Sequence, residues 1–157
     1  MKSSDRKKKR ILIFGAGEIG FTVKRVIYSD PEGSYQVAGF LDINRNMQGK
    51  KLNGIPVYNP NVITADFLQK NDIEGLIFAI KEIPPIEKSK IIRSSLAMGL
   101  EVMEAPSVDT WLDGHFHVNQ IRKVKLEDLL GRDPIQLNMN LIRIGLTGKT
   151  ILVTGAA

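Results

Sequence analysis

Four apolar residues, Ile11-Leu-Ile-Phe14, run directly into Gly15-Ala-Gly-Glu-Ile-Gly20, and this junction constrains the chain more than any other stretch of it. A short, unbroken apolar run suits a strand buried on both faces. The glycines that follow serve geometry: Gly15 permits a tight turn, Gly17 lets a diphosphate approach the backbone, and Gly20 allows the next helix to pack closely on the strand. Ile19, Val23, Val26 and Ile27 then recur at helical spacing, and Ser29-Asp-Pro-Glu-Gly33 is breaker chemistry, so the helix is predicted to end near Tyr28. Phosphates held at such a turn meet unpaired backbone N–H groups and the positive end of the helix dipole.

The alternation continues downstream. Tyr35 to Leu41 reads as a second strand closed by Asp42, and the stretch from Asn44 to Pro60 as a loop holding one short strand around Ile55 and Val57. A short helix over Val62 to Gln69, a buried strand over Gly75 to Ile80, an amphipathic helix over Ile86 to Met98 stopped by Gly99, and a strand over Leu100 to Ala105 follow. Ile121 to Leu126 is compatible with one further strand. Strands alternating with helices imply a mostly parallel sheet with right-handed crossovers and helices on both faces. The expectation is a three-layer, Rossmann-like α/β domain over residues 10–124, preceded by a basic tail (1–9) and followed by an irregular connector (125–148). The 157 residues suffice for one such core.

Charge narrows the function. The net charge of +5 is carried by residues 1–10, with six basic side chains against one acidic; the remaining 147 residues hold 16 of each sign. Nucleic-acid readers concentrate basic charge on a folded face or groove, so nucleic-acid binding is not expected. No uncharged stretch approaches the roughly 18 apolar residues of a membrane helix, and the start lacks the apolar core of a signal peptide. Arg6 to Arg10 reads as a solvated tail or as the cytoplasmic flank of a membrane region lying outside this sequence. The absence of cysteine excludes thiolate nucleophiles and disulfides and suits a cytoplasmic location.

Gly15, Ala16, Gly17, Glu18, Ile19 and Gly20 form the candidate cofactor-binding turn. Asp42 stands 22 positions beyond Gly20, where it can accept hydrogen bonds from ribose hydroxyls or, alternatively, start the turn at Ile43-Asn44. Ile80 and Lys81 fall at the strand end where ligands sit in open α/β sheets, although solvent exposure also accounts for Lys81. Glu18 opposes this reading, since a carboxylate there stabilises the helix start and repels a dianion; a turn kept only as a fold element is the alternative. His115 and His117 would share one face of a strand, as metal ligands can, but a third ligand is not evident and no metal is expected. The Tyr-x-x-x-Lys pair, in which lysine lowers a phenol's pKa, is missing: Glu32, Gly39 and Val62 stand four residues after Tyr28, Tyr35 and Tyr58. No serine-histidine-carboxylate arrangement is recognisable either, so the chain by itself is expected to be non-catalytic.

The C-terminal third carries the most specific sequence. Lys125-Leu-Glu-Asp-Leu-Leu-Gly-Arg-Asp-Pro-Ile-Gln-Leu137 and Leu146-Thr-Gly-Lys-Thr-Ile-Leu-Val-Thr-Gly-Ala156 resemble the join between two domains in the membrane-anchored nucleotide-sugar 4,6-dehydratase and epimerase family of bacterial polysaccharide biosynthesis. Ile11 to Gly20, Val37-Ala-Gly-Phe-Leu-Asp42, Gly54-Ile-Pro-Val57 and Ala105-Pro-Ser107 are similar to that family's N-terminal Rossmann-like domain, itself similar to CoA-binding domains. The resemblance implies a parent with membrane helices upstream and a short-chain dehydrogenase domain downstream, of which 149–157 is the truncated start. It also implies NAD or NADP and a UDP-sugar in the parent, at the cytoplasmic face of the inner membrane. A nucleotide or nucleotide-sugar is the expected partner of this domain. A purely structural, oligomer-building module and an independent NAD(H) or CoA sensor are the alternatives. Thr150 to Val153, apolar and β-branched, suits the centre of a sheet; without that sheet, Leu141 to Ala157 is expected either to be disordered or to pack on a neighbouring subunit, giving a homo-oligomer.

Overall fold

Every residue from Ile11 to Phe14 is fully buried, and successive side chains enter opposite cores. This is the period-2 alternation of a strand covered on both faces. The computed structural model describes residues 7–111, 116–125 and 127–128. The strand, β1 (Lys9–Phe14), is followed by α1 (Glu18–Ser29), β2 (Tyr35–Leu41), β3 (Lys51–Leu52), β4 (Ile55–Tyr58), α2 (Ala65–Lys70), β5 (Gly75–Phe78), α3 (Pro85–Ala97), β6 (Glu101–Glu104) and β7 (Arg122–Lys123). Single 3₁₀ turns occupy Pro60–Val62, Val108–Thr110 and Val118–Gln120.

The strands form one sheet in the order β3-β4-β2-β1-β5-β6-β7. The five inner strands run parallel, and β3 and β7 add an antiparallel strand at either edge. From β1 the chain first builds outward through β2 and β4, then returns to the other side of β1 as β5. Neighbouring connections therefore diverge at the carboxyl ends of β1 and β5, which opens a crevice there.

Ile11 and Ile13 pack with Val23 and Ile27 of α1, and with Phe40, Ile77 and Met103. Leu12 and Phe14 face the other way, onto Leu68 of α2 and Ile92 of α3, with the Phe14 and Phe78 rings stacked at 5.1 Å. Each such side chain contributes about 1.5–3 kcal/mol on burial, so β1 is the axis of both cores. The segment after β6 returns over the α1 face: Phe116 is buried, its ring 5.2 Å from that of Trp111, whose Nε1 donates to the Pro106 carbonyl at 3.0 Å. Among the described residues no helix is long and apolar enough to cross a membrane.

The fold has the expected class, and it departs from the sequence reading in particular elements. The loop from Asn44 to Pro60 holds two strands, because Asn53 (φ 49°) and Gly54 (φ 82°) make a two-residue turn that folds β3 onto β4. α2 begins at Ala65, three residues later than Val62, because the Thr64 hydroxyl caps it by accepting from Phe67 N at 3.2 Å. β5 stops at Phe78, leaving Ile80 and Lys81 in the following loop, and β7 is confined to Arg122–Lys123. His115 and the segments 129–148 and 149–157 lie outside the described residues.

At the amino-terminal edge the sheet closes on itself electrostatically. Lys9, Gly75 and Glu101 lie on the α1 side of adjacent strands, and Lys9 Nζ donates to Glu101 Oε2 at 2.6 Å. Lys123 Nζ stands 2.5 Å from Oε1 of the same carboxylate. Burial opposes ionisation of Glu101, but the two ammonium groups outweigh it and hold the carboxyl below the usual glutamate range. The same contact raises Lys9 above the usual lysine range.

Candidate functional site

The turn between β1 and α1 is built from backbone contacts. Gly15 has φ +114°, donates to the Leu41 carbonyl at 2.7 Å, and lies so close to β5 that a Cβ there would stand 2.4 Å from the Ala79 carbonyl oxygen. A Cβ at Gly20 would stand 1.9 Å from the Gly15 carbonyl oxygen. Both glycines are demanded by chain packing on chain. Gly17 differs: its φ is −87°, and a Cβ there would meet nothing within 4 Å among the described residues. The space beside it is open, at the N-terminus of α1, where the amides of the first turn have no helical partner.

Asp42 is drawn into this turn. Its Oδ2 accepts from Ala16 N at 2.7 Å and its Oδ1 from Asn44 N at 2.8 Å, while its carbonyl accepts from Gln48 Nε2 at 2.8 Å. The carboxylate thus performs the turn-starting role and also ties the glycine turn to the 42–50 loop. Each carboxylate oxygen retains a second acceptor site. Glu18 is exposed at the first helical position, where it interacts favourably with the helix dipole and unfavourably with an incoming anion.

Beside the turn lies a cavity of about 880 Å³ at the carboxyl ends of β5 and β6. Ile19, Ile80 and Lys81 all line it, so these three sequence candidates are brought together, while Gly15, Ala16, Gly17, Glu18, Gly20 and Asp42 belong to the turn and loop and do not line it. The cavity also recruits side chains that sequence reasoning had not selected: Ser107 and Asp109 after β6, and Asn119, Gln120 and Arg122 on the returning segment. The strand-end rule that singled out Lys81 after β5 applies equally after β6 and would have found the first two. The other three arrive through a 3₁₀ turn and a two-residue antiparallel strand, for which the sequence carries no periodic signal. Among the described residues no cluster of His, Asp or Glu could hold a metal ion. His117 takes part in a 3₁₀ cap, its backbone N–H donating to Gln120 Oε1 at 2.7 Å.

The comparisons with known proteins meet this architecture. No protein-family profile matches the sequence. The capsular polysaccharide biosynthesis protein CapD of Staphylococcus aureus is 33% identical over 150 residues, covering 95% of this chain and 25% of CapD. The probable polysaccharide biosynthesis protein EpsC of Bacillus subtilis (strain 168) is 33% identical over 160 residues, covering 99% of this chain and 27% of EpsC. Among solved structures, UDP-D-quinovosamine 4-dehydrogenase from Vibrio fischeri superposes with a TM-score of 0.66 at 27% identity, over 80% of this chain and 100% of that one.

Over nearly its whole length the chain is similar to one segment of the polysaccharide biosynthesis proteins CapD and EpsC. It is a Rossmann-like α/β domain and spans about a quarter of the length of the curated relatives it matches. The informative feature here is the division of labour among the three glycines: two close the fold, and one leaves space.

Proposed function

We propose that this chain is the nucleotide-binding, non-catalytic domain of a UDP-sugar-modifying enzyme, a 4,6-dehydratase, epimerase or 4-dehydrogenase. Its catalytic short-chain dehydrogenase domain begins near Lys149 and uses NAD or NADP. In this reading residues 10–124 form the binding domain, 125–148 connect it to the catalytic domain, and the basic residues 1–9 face the cytoplasmic side of the membrane. The observation that carries the reading is Gly17: nothing among the described residues fills the space a side chain would take, and the amides of Gly17 to Gly20 lie at the positive end of α1. Ala16 is committed to Asp42, so the phosphates fall to the amides beyond it. Ile80 and Lys81 border the same ligand from β5. The likeness to UDP-D-quinovosamine 4-dehydrogenase supports a UDP-linked ligand, and the identity with CapD and EpsC supports a place in polysaccharide biosynthesis.

Calorimetric titration with UDP-sugars, NAD and CoA tests this. A nucleotide is expected to bind, and Gly17→Val is expected to abolish binding by filling the phosphate approach while leaving the protein folded. No heat with any of these ligands at millimolar concentration would favour a second reading, a module that positions the catalytic domain and builds oligomers. That reading draws on the Asp42–Ala16 hydrogen bond and on Glu18, both of which act against an anion at the turn.

A further inference from the structure

We infer that the cavity between the ends of β5 and β6 receives a polyhydroxylated group, the glycosyl part of a nucleoside diphosphate sugar whose phosphates lie at the glycine turn. The assignment rests on the nucleotide-binding reading above and adds to it the part of the ligand that the domain discriminates. Turn and cavity adjoin at Ile19. Gly15 abuts Ala79 and Ile80, and Ile19, two residues into the helix whose amides receive the phosphates, forms part of the cavity wall. A group attached to those phosphates on the β5 side passes over Ile19 into the cavity.

The chemistry of the lining selects among groups that could be attached. A sugar hydroxyl both donates and accepts, so a sugar site must present donors and acceptors together. Lys81 and Arg122 offer cationic donors that no acid pairs with among the described residues. Asp109 and Ser107, themselves linked at 3.4 Å, offer acceptors. Asn119 offers both kinds, and Gln120, whose Oε1 already accepts from His117 N, has its amide N–H groups left to donate. A planar base or nicotinamide ring would leave several of these groups without partners, at a cost for each that is desolvated. Nor is there a surface for such a ring to stack on: the aromatic residue of the lining, Phe78, is 2% exposed and belongs to the core. A simple anion would suit Lys81 and Arg122 but not Asp109 and Glu82 beside them. The floor, Ile19 and Ile80, is aliphatic and fits the apolar face of a pyranose ring.

The test is calorimetry of the full chain with UDP, UDP-N-acetylglucosamine and NAD, on the wild type and on the Asn119→Ala/Arg122→Ala double variant. Both substituted residues are exposed, and thermal melting checks that the variant is folded. UDP-N-acetylglucosamine is expected to bind about ten-fold more tightly than UDP, the effect of one or two net hydrogen bonds. The double variant is expected to erase that advantage and leave UDP binding unchanged. Equal affinity for UDP and the UDP-sugar in the wild type overturns the cavity assignment and leaves the nucleotide reading standing. An advantage that survives the double substitution also overturns it. NAD binding more tightly than the UDP-sugar, and weakened by the double variant, overturns it in favour of a dinucleotide. Failure of all three ligands to bind overturns both readings.

Discussion

Lys9, Glu101 and Lys123 at the amino-terminal edge of the sheet and Lys81, Asp109 and Arg122 at its carboxyl-terminal edge have the same charges in opposite arrangements. In the first group two ammonium groups converge on one carboxylate within 2.6 Å, and the Glu101 side chain is only 19% exposed. In the second, none of the three charges takes part in an ion pair among the described residues. The apolar surface is distributed the same way. Ile43, Ile86 and Val108, three of the four large apolar side chains most exposed among the described residues, lie in segments that follow β2, β5 and β6. One edge has paired its charges within the fold. The other holds unpaired charges, open amides and bare aliphatic surface, the combination that a ligand of mixed character completes. A parallel sheet produces this asymmetry because all its strands deliver their following loops to the same edge.

The largest effects that could break the comparison lie within the glycine turn itself. Gly20→Ala places a Cβ against a backbone oxygen that cannot move aside, and is expected to cost about 3 kcal/mol or more. Gly17→Ala, in open space, is expected to change stability by no more than about 1 kcal/mol. Urea denaturation of the two variants measures both. Equal losses would mean that Gly17, like its neighbour, is a packing residue and leaves no room for a ligand.

The closed edge should show its worth as a pH-dependent term. Glu101→Gln is expected to cost about 1–2 kcal/mol at neutral pH, the range for hydrogen bonds to a charged group after allowance for partial exposure. The sign follows from the depressed carboxyl. Its stabilisation is complete above the ordinary glutamate value of about 4.3 and is lost as pH falls through the lower folded value. For Lys9, raised by the same contact, the stabilisation is complete below the ordinary lysine value of about 10.4 and is lost as pH rises through the folded value. The difference in denaturation free energy between wild type and variant should therefore be flat from about pH 5 to pH 10 and shrink on acidification. A difference independent of pH down to 2 would show that the triad does not act through charge.

The smallest effects belong to the open edge. Lys81→Ala and Arg122→Ala are each expected to alter stability by less than about 0.5 kcal/mol, since neither pairs within the described fold. Thermal melts that place either loss above that of Glu101→Gln would reverse the comparison.

The sequence was most legible where a local pattern and a tertiary role coincide. Ile11 to Phe14 is apolar because both its faces are covered, and Gly15 and Gly20 are glycine because backbone passes against them; either fact can be read from residue type and spacing alone. The β3–β4 hairpin was missed, although Asn53-Gly54 marks its turn, because its strands are too short to display an alternation. Asp42 was ambiguous between ribose acceptor and turn starter. Its two side-chain oxygens are 2.7 and 2.8 Å from backbone amides 26 positions before and two positions after it, and only the first of these contacts lies beyond local sequence.

By itself, then, the amino-acid sequence determined the class of fold, the order of the parallel strands' helices and turns, and the presence of a glycine turn at the head of α1, because each depends on periodicity and backbone freedom within about twenty residues. Tertiary structure alone decided that Glu101 gathers Lys9 and Lys123 across three strands, and that Asn119, Gln120 and Arg122 join Ile19 and Lys81 around one cavity. Those outcomes depend on which strands lie side by side. Strand order is set by the packing of helices on both faces of the sheet, and the sequence spacing between such partners carries no trace of it.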